Sequence, residues 1–315
     1  MVKNFLIILV LLLTLINGLH SQVICNGQKV ILIEEKKCQP DNFILEFEDN
    51  FDGTSLDTSK WRTQFGVVRD PEQKSAGQWF TSKNVEVSNG TLKLIAKRDT
   101  LINQCFDIWM NDAIGMKSFC KDFYFSSAEI SCKENFGYGK FEISCKLPRG
   151  KGLGTAFWIW TYKQQSEIDV FEFTNENGLF GNYKASKLSK IHCMNSHNDY
   201  GSNGVMYDCP THYTGPDFSE AFHTFTLIWS PQVMQWFVDG ELKRSSALFY
   251  NLEGKMVDCD DLKKYGEYIL NKAFPKNPMH IISGLTTQIG SNAPDESTVL
   301  PASFEIDYIR YYKLQ

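Results

Sequence analysis

Along most of this chain apolar residues alternate with polar ones in short runs, the period of strands rather than helices. Phe43 to Trp61 reads as an edge strand that gives way at Asp52-Gly53 to a polar turn. Val85 and Val87 alternate toward Asn89-Gly90, and Leu92 and Leu94 alternate back, the signal of a type I′ hairpin. Two further runs between Phe123 and Leu147 flank Phe136-Gly137-Tyr138-Gly139 and predict a second hairpin. Ala156 to Thr161 is a strand with Trp158 and Trp160 on one face. Strands follow at Lys190–Met194, His223–Ser230 and Gln235–Val238, the last running into Asp239-Gly240, and a final one contains Phe304, Ile306, Tyr308 and Ile309. Asn195 to Pro216, rich in Gly, Ser, Asn and Asp, reads as a long loop. Leu262, Tyr265, Ile269 and Ala273 predict one helix, closed by Pro275. About a dozen short strands without repeating βα units imply an all-β fold, an antiparallel sandwich or barrel.

The run Glu167-Ile168-Asp169-Val170-Phe171-Glu172 breaks this pattern. Strict alternation puts Glu167 and Asp169 on one face and Glu172 on the other, beside Ile168 and Val170, where an unpaired carboxylate costs several kcal/mol. One extra residue at Val170-Phe171, a β-bulge, restores all three carboxylates to one face. The two glutamates are then attached roughly 13 Å apart at ~3.3 Å per residue, so their carboxyl groups meet only on a curved strand in a concave sheet. Carboxyl groups about 5–5.5 Å apart define a retaining glycosidase, one acting as nucleophile and the other as acid and then base. An Asp between them can keep the pair unequally protonated. A solvated acidic face or half of a metal site would use the same spacing.

Composition sharpens the picture at three points. Fourteen per cent aromatic residues, with 23 Phe, 13 Tyr and 7 Trp, suit strands and sugar-stacking surfaces. A net charge of −5 argues against a nucleic-acid partner. Lys3, the apolar run Phe5–Ile16 and Asn17-Gly18 have the layout of a secretory signal peptide over residues 1–21, too short for a membrane span, leaving 22–315 as one domain. All nine cysteines follow it. An extracellular destination favours disulfides, with Cys25–Cys38, Cys105–Cys120 and Cys193–Cys209 the short-loop pairings and at least one thiol left over. Asn89-Gly90-Thr91 is a glycosylation sequon at a hairpin tip.

Several fragments in order resemble one family: Phe51-Asp52-Gly53 with Lys60-Trp61, Asn89 to Leu92, Phe136 to Glu142, Ala156-Phe157-Trp158, the acidic run, Phe222 to Phe225, Trp236 to Gly240 and Ile306-Asp307-Tyr308. From Phe47 to Leu314 the chain is similar to glycoside hydrolase family 16, the laminarinase-like enzymes. The resemblance implies a jelly-roll sandwich with a substrate cleft. It implies Glu167 as nucleophile, Asp169 as its helper and Glu172 as acid/base, in the bulged branch that contains many β-1,3-glucanases and galactanases. Trp158, Tyr162 and His223 fall at substrate-binding positions. Gly154-Thr155 and Tyr162 to Ser166 replace Trp-Pro elements of laminarinase-like members, which alters the sugar subsites. A structural calcium in relatives would fall on Asn50 and Asp307, with Asn50 weakening it through its missing charge.

The expectation is a secreted, monomeric, retaining endo-glycosidase acting on a β-linked polysaccharide, a β-1,3-glucan first, without a required cofactor and, once the signal is removed, without a membrane. A carbohydrate-recognition protein and a transglycosylase on the same fold are the alternatives; the three carboxylates favour an enzyme. Protein from its natural secretion route should begin near Gln22 and lose fewer than nine cysteines to alkylation before reduction. Mass spectrometry with and without reductant checks this, and nine free thiols would contradict it.

Overall fold

The computed structural model describes residues 22–25, 28–31, 42–63, 77–109, 116–161, 166–174, 191–198, 206–257 and 268–315. In chain order the strands are β1 (Gln22–Cys25), β2 (Gln28–Ile31), β3 (Phe43–Asp49), β4 (Trp61–Thr63), β5 (Gln78–Phe80), β6 (Val85–Ser88) and β7 (Thr91–Trp109). There follow β8 (Met116–Ser127), β9 (Glu129–Cys132), β10 (Gly139–Lys146), β11 (Leu153–Thr161), β12 (Ser166–Thr174), β13 (Ile191–Asn198) and β14 (Met206–Thr214). The remainder are β15 (His223–Trp229), β16 (Val233–Val238), β17 (Glu241–Ala247), β18 (Phe249–Tyr250), β19 (Ile269–Leu270), β20 (His280–Thr287) and β21 (Ala302–Leu314).

Two sheets account for most of them. One has the order β14-β13-β12-β11-β20-β9-β4 and carries the acidic run on its third strand. The other runs β17-β16-β15-β10-β21-β7-β8-β5, with β3 added to β21 and β6 to β7. Pairing is antiparallel except between β5 and β8. The fold is therefore an all-β antiparallel sandwich, as the alternation predicts. Between the sheets lie Phe157, Ile159, Ile168, Phe171 and Phe173 from the first and Phe141, Phe225, Leu227, Trp236, Phe304 and Ile306 from the second. Phe171 and Phe225 meet across the layer at 4.4 Å between ring centres. Each such side chain contributes about 1.5–3 kcal/mol by leaving water.

The Asn89-Gly90 hairpin is present, with φ of 55° and 70° and an exposed Asn89. Cys105 and Cys120 are cross-strand partners on β7 and β8 and form the expected disulfide. Cys132 and Cys145 are free and buried, and burial pushes the Cys132 thiol up to about 11. Cys38 lies outside the described residues, as do the side chains of Cys25, Cys193 and Cys209.

Three expectations fail. Phe136 to Gly139 is no hairpin turn: β9 belongs to one sheet and β10 to the other, so this stretch carries the chain across the sandwich. Phe136 drives the crossing. It is buried, exchanges backbone hydrogen bonds with Met279 at 2.9 and 3.0 Å, and packs on Tyr311 at 4.6 Å. Asn195 to Pro216 is not one loop, because β13 continues to Asn198 and β14 occupies Met206–Thr214. The helix also fails where it is described: Ile269–Leu270 is a strand, and Ala273 lies in a turn. Asn271 is the cause. Its side chain donates to the Ala247 carbonyl and accepts from the Ala273 N–H, giving the backbone a local alternative to a helix.

Gly139 starts β10 where a Cβ would stand 2.3 Å from the Tyr312 carbonyl and 2.5 Å from the Tyr311 ring. Backbone cannot yield there as a flexible side chain would. Gly139→Ala should therefore lower unfolding free energy by roughly 1–3 kcal/mol in a denaturant titration; an unchanged midpoint would show that the crossing is loose.

Candidate active site

The acidic strand is bulged where the phase of its side chains requires. Against β11, Phe171 pairs with Phe157 and Asp169 with Trp158, so Val170 is the extra residue. Against β13 the register shifts between Asp169 and Glu172 as well. Ile168, Val170, Phe171 and Phe173 all enter the core, while Glu167 and Glu172 stay half-buried on the opposite face. Asp169 lies with them and is only 2 % exposed.

Register lays out the floor of this open face as rows. His197, Glu167, Trp160 and His280 form one row across β13, β12, β11 and β20. Asn195, Asp169, Trp158 and Ile282 form the next. Cys193, Glu172, Ala156 and Gly284 form the third, which continues to Glu129 on β9. Trp158 is buried beside Asp169, and Trp160 is half-buried beside Glu167. Four carboxylates, Glu129 among them, therefore share a floor with two indoles and two imidazoles.

A small network holds the centre. His197 Nε2 lies 3.2 Å from Asp169 Oδ2 and 2.8 Å from Asn195 Nδ2. One ring nitrogen cannot both donate and accept: with the proton on Nε2 the ring donates to the buried Asp169 carboxylate, and the Asn195 Nδ2 contact, itself from a donor, is then no hydrogen bond. The Asn195 carbonyl oxygen accepts from the Ser196 N–H at 2.9 Å, tying the network to the backbone of β13. From the core side, the Trp236 indole N–H donates to the Asp169 carbonyl at 2.9 Å.

Of the residues expected from sequence, Glu167, Asp169, Glu172 and Trp158 are brought together. His223 is not. It begins β15 in the other sheet, on the core side, where Nδ1 is 2.8 Å from Asp239 Oδ2 and the ring edges against Phe218. Its sequence period matches Phe225 and Leu227, so it points between the sheets and away from the cleft. Tyr162 lies outside the described residues. Asn50 and Asp307 do not fit a calcium ion: Asn50 Oδ1 accepts from the Arg310 guanidinium at 3.0 Å, which repels a second cation, and Asp307 accepts from Ser144 at 3.2 Å. Among the described residues no group of three His, Cys, Asp or Glu side chains could hold a metal.

Sequence reading missed Asn195 and His197, whereas Trp160 is expected on one face with Trp158. The signal for the two missed residues was present, since Asn195 and His197 alternate with buried Met194 and Ser196 at period two. It was hidden by the Asn, Ser and Gly density that follows.

A sandwich with paired glutamates, a buried aspartate and tryptophans on one open face defines a glycoside hydrolase. The chain matches the model for "Glycosyl hydrolases family 16" over residues 72–310 and belongs to that family. It is 28 % identical over 302 residues to the glucan endo-1,3-beta-glucosidase A1 of Niallia circulans, covering 86 % of this chain and 38 % of that protein. It is 29 % identical over 234 residues to the glucan endo-1,3-beta-glucosidase of Cryptopygus antarcticus, covering 69 % of this chain and 76 % of the relative. The catalytic domain of an endo-1,3-beta-glucanase (laminarinase) from Thermotoga petrophila shares the fold with a TM-score of 0.62 at 24 % identity, over 87 % of this chain and 99 % of that one.

Removing the ring in His197→Ala takes a donor from a buried carboxylate. A hydrogen bond to a charged group is worth about 1.5–3 kcal/mol, so kcat/KM should fall roughly 10- to 100-fold with the fold intact by circular dichroism. Wild-type kinetics would mean that the contact is idle.

Proposed function

We propose that the protein is a secreted, retaining endo-glycosidase that cuts β-1,3-glucan. The observation that carries this reading is the single extra residue Val170, which turns Glu167, Asp169 and Glu172 to one face. The names of the Niallia and Cryptopygus relatives favour the 1,3 linkage.

In the proposed cycle a Glu167 carboxylate oxygen attacks the anomeric carbon while Glu172 gives its proton to the glycosidic oxygen, and the aglycone side leaves. A glycosyl ester on Glu167 results. Glu172, now ionised, takes a proton from water, the hydroxide oxygen attacks the same carbon, and Glu167 departs with net retention. Glu167 is flanked in register by His197 and Trp160, and Glu172 by Cys193 and Ala156. Asp169, between them and held by His197, is suited to keep the pair in unequal protonation states. Trp160, half-buried on this face, would stack on a sugar ring, as flat apolar surfaces do, with the buried Trp158 beneath the floor next to it.

Offered laminarin, lichenan, xyloglucan, agarose and carrageenan, the purified protein should release oligosaccharides from laminarin; cleavage of a galactan alone would retire the glucanase reading. Glu167→Gln should abolish turnover, since the amide cannot attack. Glu172→Ala should lose most activity on natural glucan, less on an aryl glycoside whose leaving group needs no proton, and regain rate with azide. NMR of the first-formed product decides the stereochemistry, and inversion would mean that the carboxyl groups stand far enough apart to admit water, about 6.5–9.5 Å.

A further inference from the structure

The core side of the acidic strand carries an arrangement that hydrolysis by three carboxylates leaves unexplained. Trp236 on β16 donates to the Asp169 carbonyl. Directly opposite it in register, Arg244 on β17 is 2 % exposed, its guanidinium 4.8 Å from the Trp236 ring centre. Arg244 Nη1 donates to the Met194 carbonyl on β13. Two side chains of one sheet thus reach across the core to two carbonyls of the other.

Both carbonyls lie where the ladder is irregular. Asp169 adjoins the Val170 bulge, and Met194 sits at the register shift between β13 and β14. A register shift leaves ladder groups without their regular strand partners, and buried backbone oxygens need donors. Arg244 reaches its target through a bulge of its own. Trp236 pairs with Arg244 and Phe237 with Leu242, so Lys243 is the extra residue and Arg244, not Lys243, faces inward. A cation over the indole face also draws electron density from the ring and strengthens its N–H as a donor.

A buried guanidinium is poorly explained by stability alone, because an apolar side chain of similar volume often serves a core as well or better. What Trp236 and Arg244 hold is functional: Asp169 is attached to one braced segment, and Asn195, adjacent to Met194, to the other. We propose that Trp236 and Arg244 are positioning residues, which fix the two irregular backbone segments behind the site and so set the alignment of Glu167, Asp169, Glu172 and the His197–Asn195 pair. This rests on the reading of those carboxylates as the reacting groups.

Trp236→Phe keeps the ring and removes the N–H. Trp229→Phe is its control: Trp229 is equally buried in the same sheet and donates to the Pro275 carbonyl at 3.3 Å, away from the bulge. Trp236→Phe should lower kcat roughly tenfold, the worth of one hydrogen bond, with KM within about twofold, and should speed hydrogen exchange in a peptide spanning 166–174. Trp229→Phe should cost stability with neither change. Arg244→Lys should retain part of the kcat that Arg244→Met loses, and Trp236→Phe with Arg244→Met should be little worse than the poorer single variant, as for residues acting as one unit. Wild-type kcat in Trp236→Phe, or an equal kcat loss in Trp229→Phe, overturns the proposal. If the wild-type protein cuts no glycan, the catalytic reading fails by itself; unchanged exchange in 166–174 then overturns the bracing.

Discussion

One residue of excess in one strand sets the geometry of this molecule. Without Val170 as an insertion, β12 would bury Glu172 in the core and turn Phe171 outward, at a cost of several kcal/mol for the carboxylate alone. With it, Phe171 packs on Phe225 from the other sheet, and the three carboxylates share the open face. Core packing and site geometry therefore constrain the same residue. Both neighbours register the same insertion: β11 advances one residue from Phe157 to Trp158 where β12 spans two, and β13 advances two from Asn195 to Cys193 where β12 spans three.

That irregularity needs support from behind. Crossing the core, the Trp236 N–H meets a carbonyl beside the insertion, and the second sheet carries its own insertion at Lys243 next to it. Sandwich sheets usually touch only through apolar side chains packed about 10 Å apart. Here the two layers are also joined by directional bonds, at the place where the first layer departs from regular pairing. The rest of the core, from Phe141 to Ile306, is generic by comparison and would tolerate repacking at similar volume.

Much of this was legible in sequence because period two is a strong signal wherever one face is buried. The strands containing Val85, Trp158, Leu227, Trp236 and Ile306 follow from it, as does the bulge, since only a phase shift reconciles Glu172 with Val170. What failed depended on partners that alternation does not specify. Phe136-Gly137-Tyr138-Gly139 has hairpin composition, but Met279, distant in sequence, captures Phe136 and sends the chain to the other sheet. Ile269 and Ala273 hold helical spacing, yet Asn271 between them bonds to Ala247. His223 was misplaced for a related reason: the motif around it matched, but its face relative to the sheet is fixed by Phe225 and Leu227, which point into the core.

The missed site residues follow a rule that could have found them. A strand that gathers three carboxylates must lie between strands that supply donors, because acceptors or more carboxylates opposite would add repulsion to desolvation. The neighbours of β12 obey it: His197 and Trp160 oppose Glu167, and Asn195 and Trp158 oppose Asp169, each bearing N–H groups. Besides β11, the other neighbour had to be a strand with His, Asn or Gln at period two, and Asn195-Ser196-His197 meets that description. Loop-like composition outweighed it only while the segment was judged by itself. Considered as the partner that an acidic strand requires, Asn195 to Asn198 could hardly be anything but a strand, and the electrostatic demand of the site then predicts an element that hydrophobic periodicity leaves out.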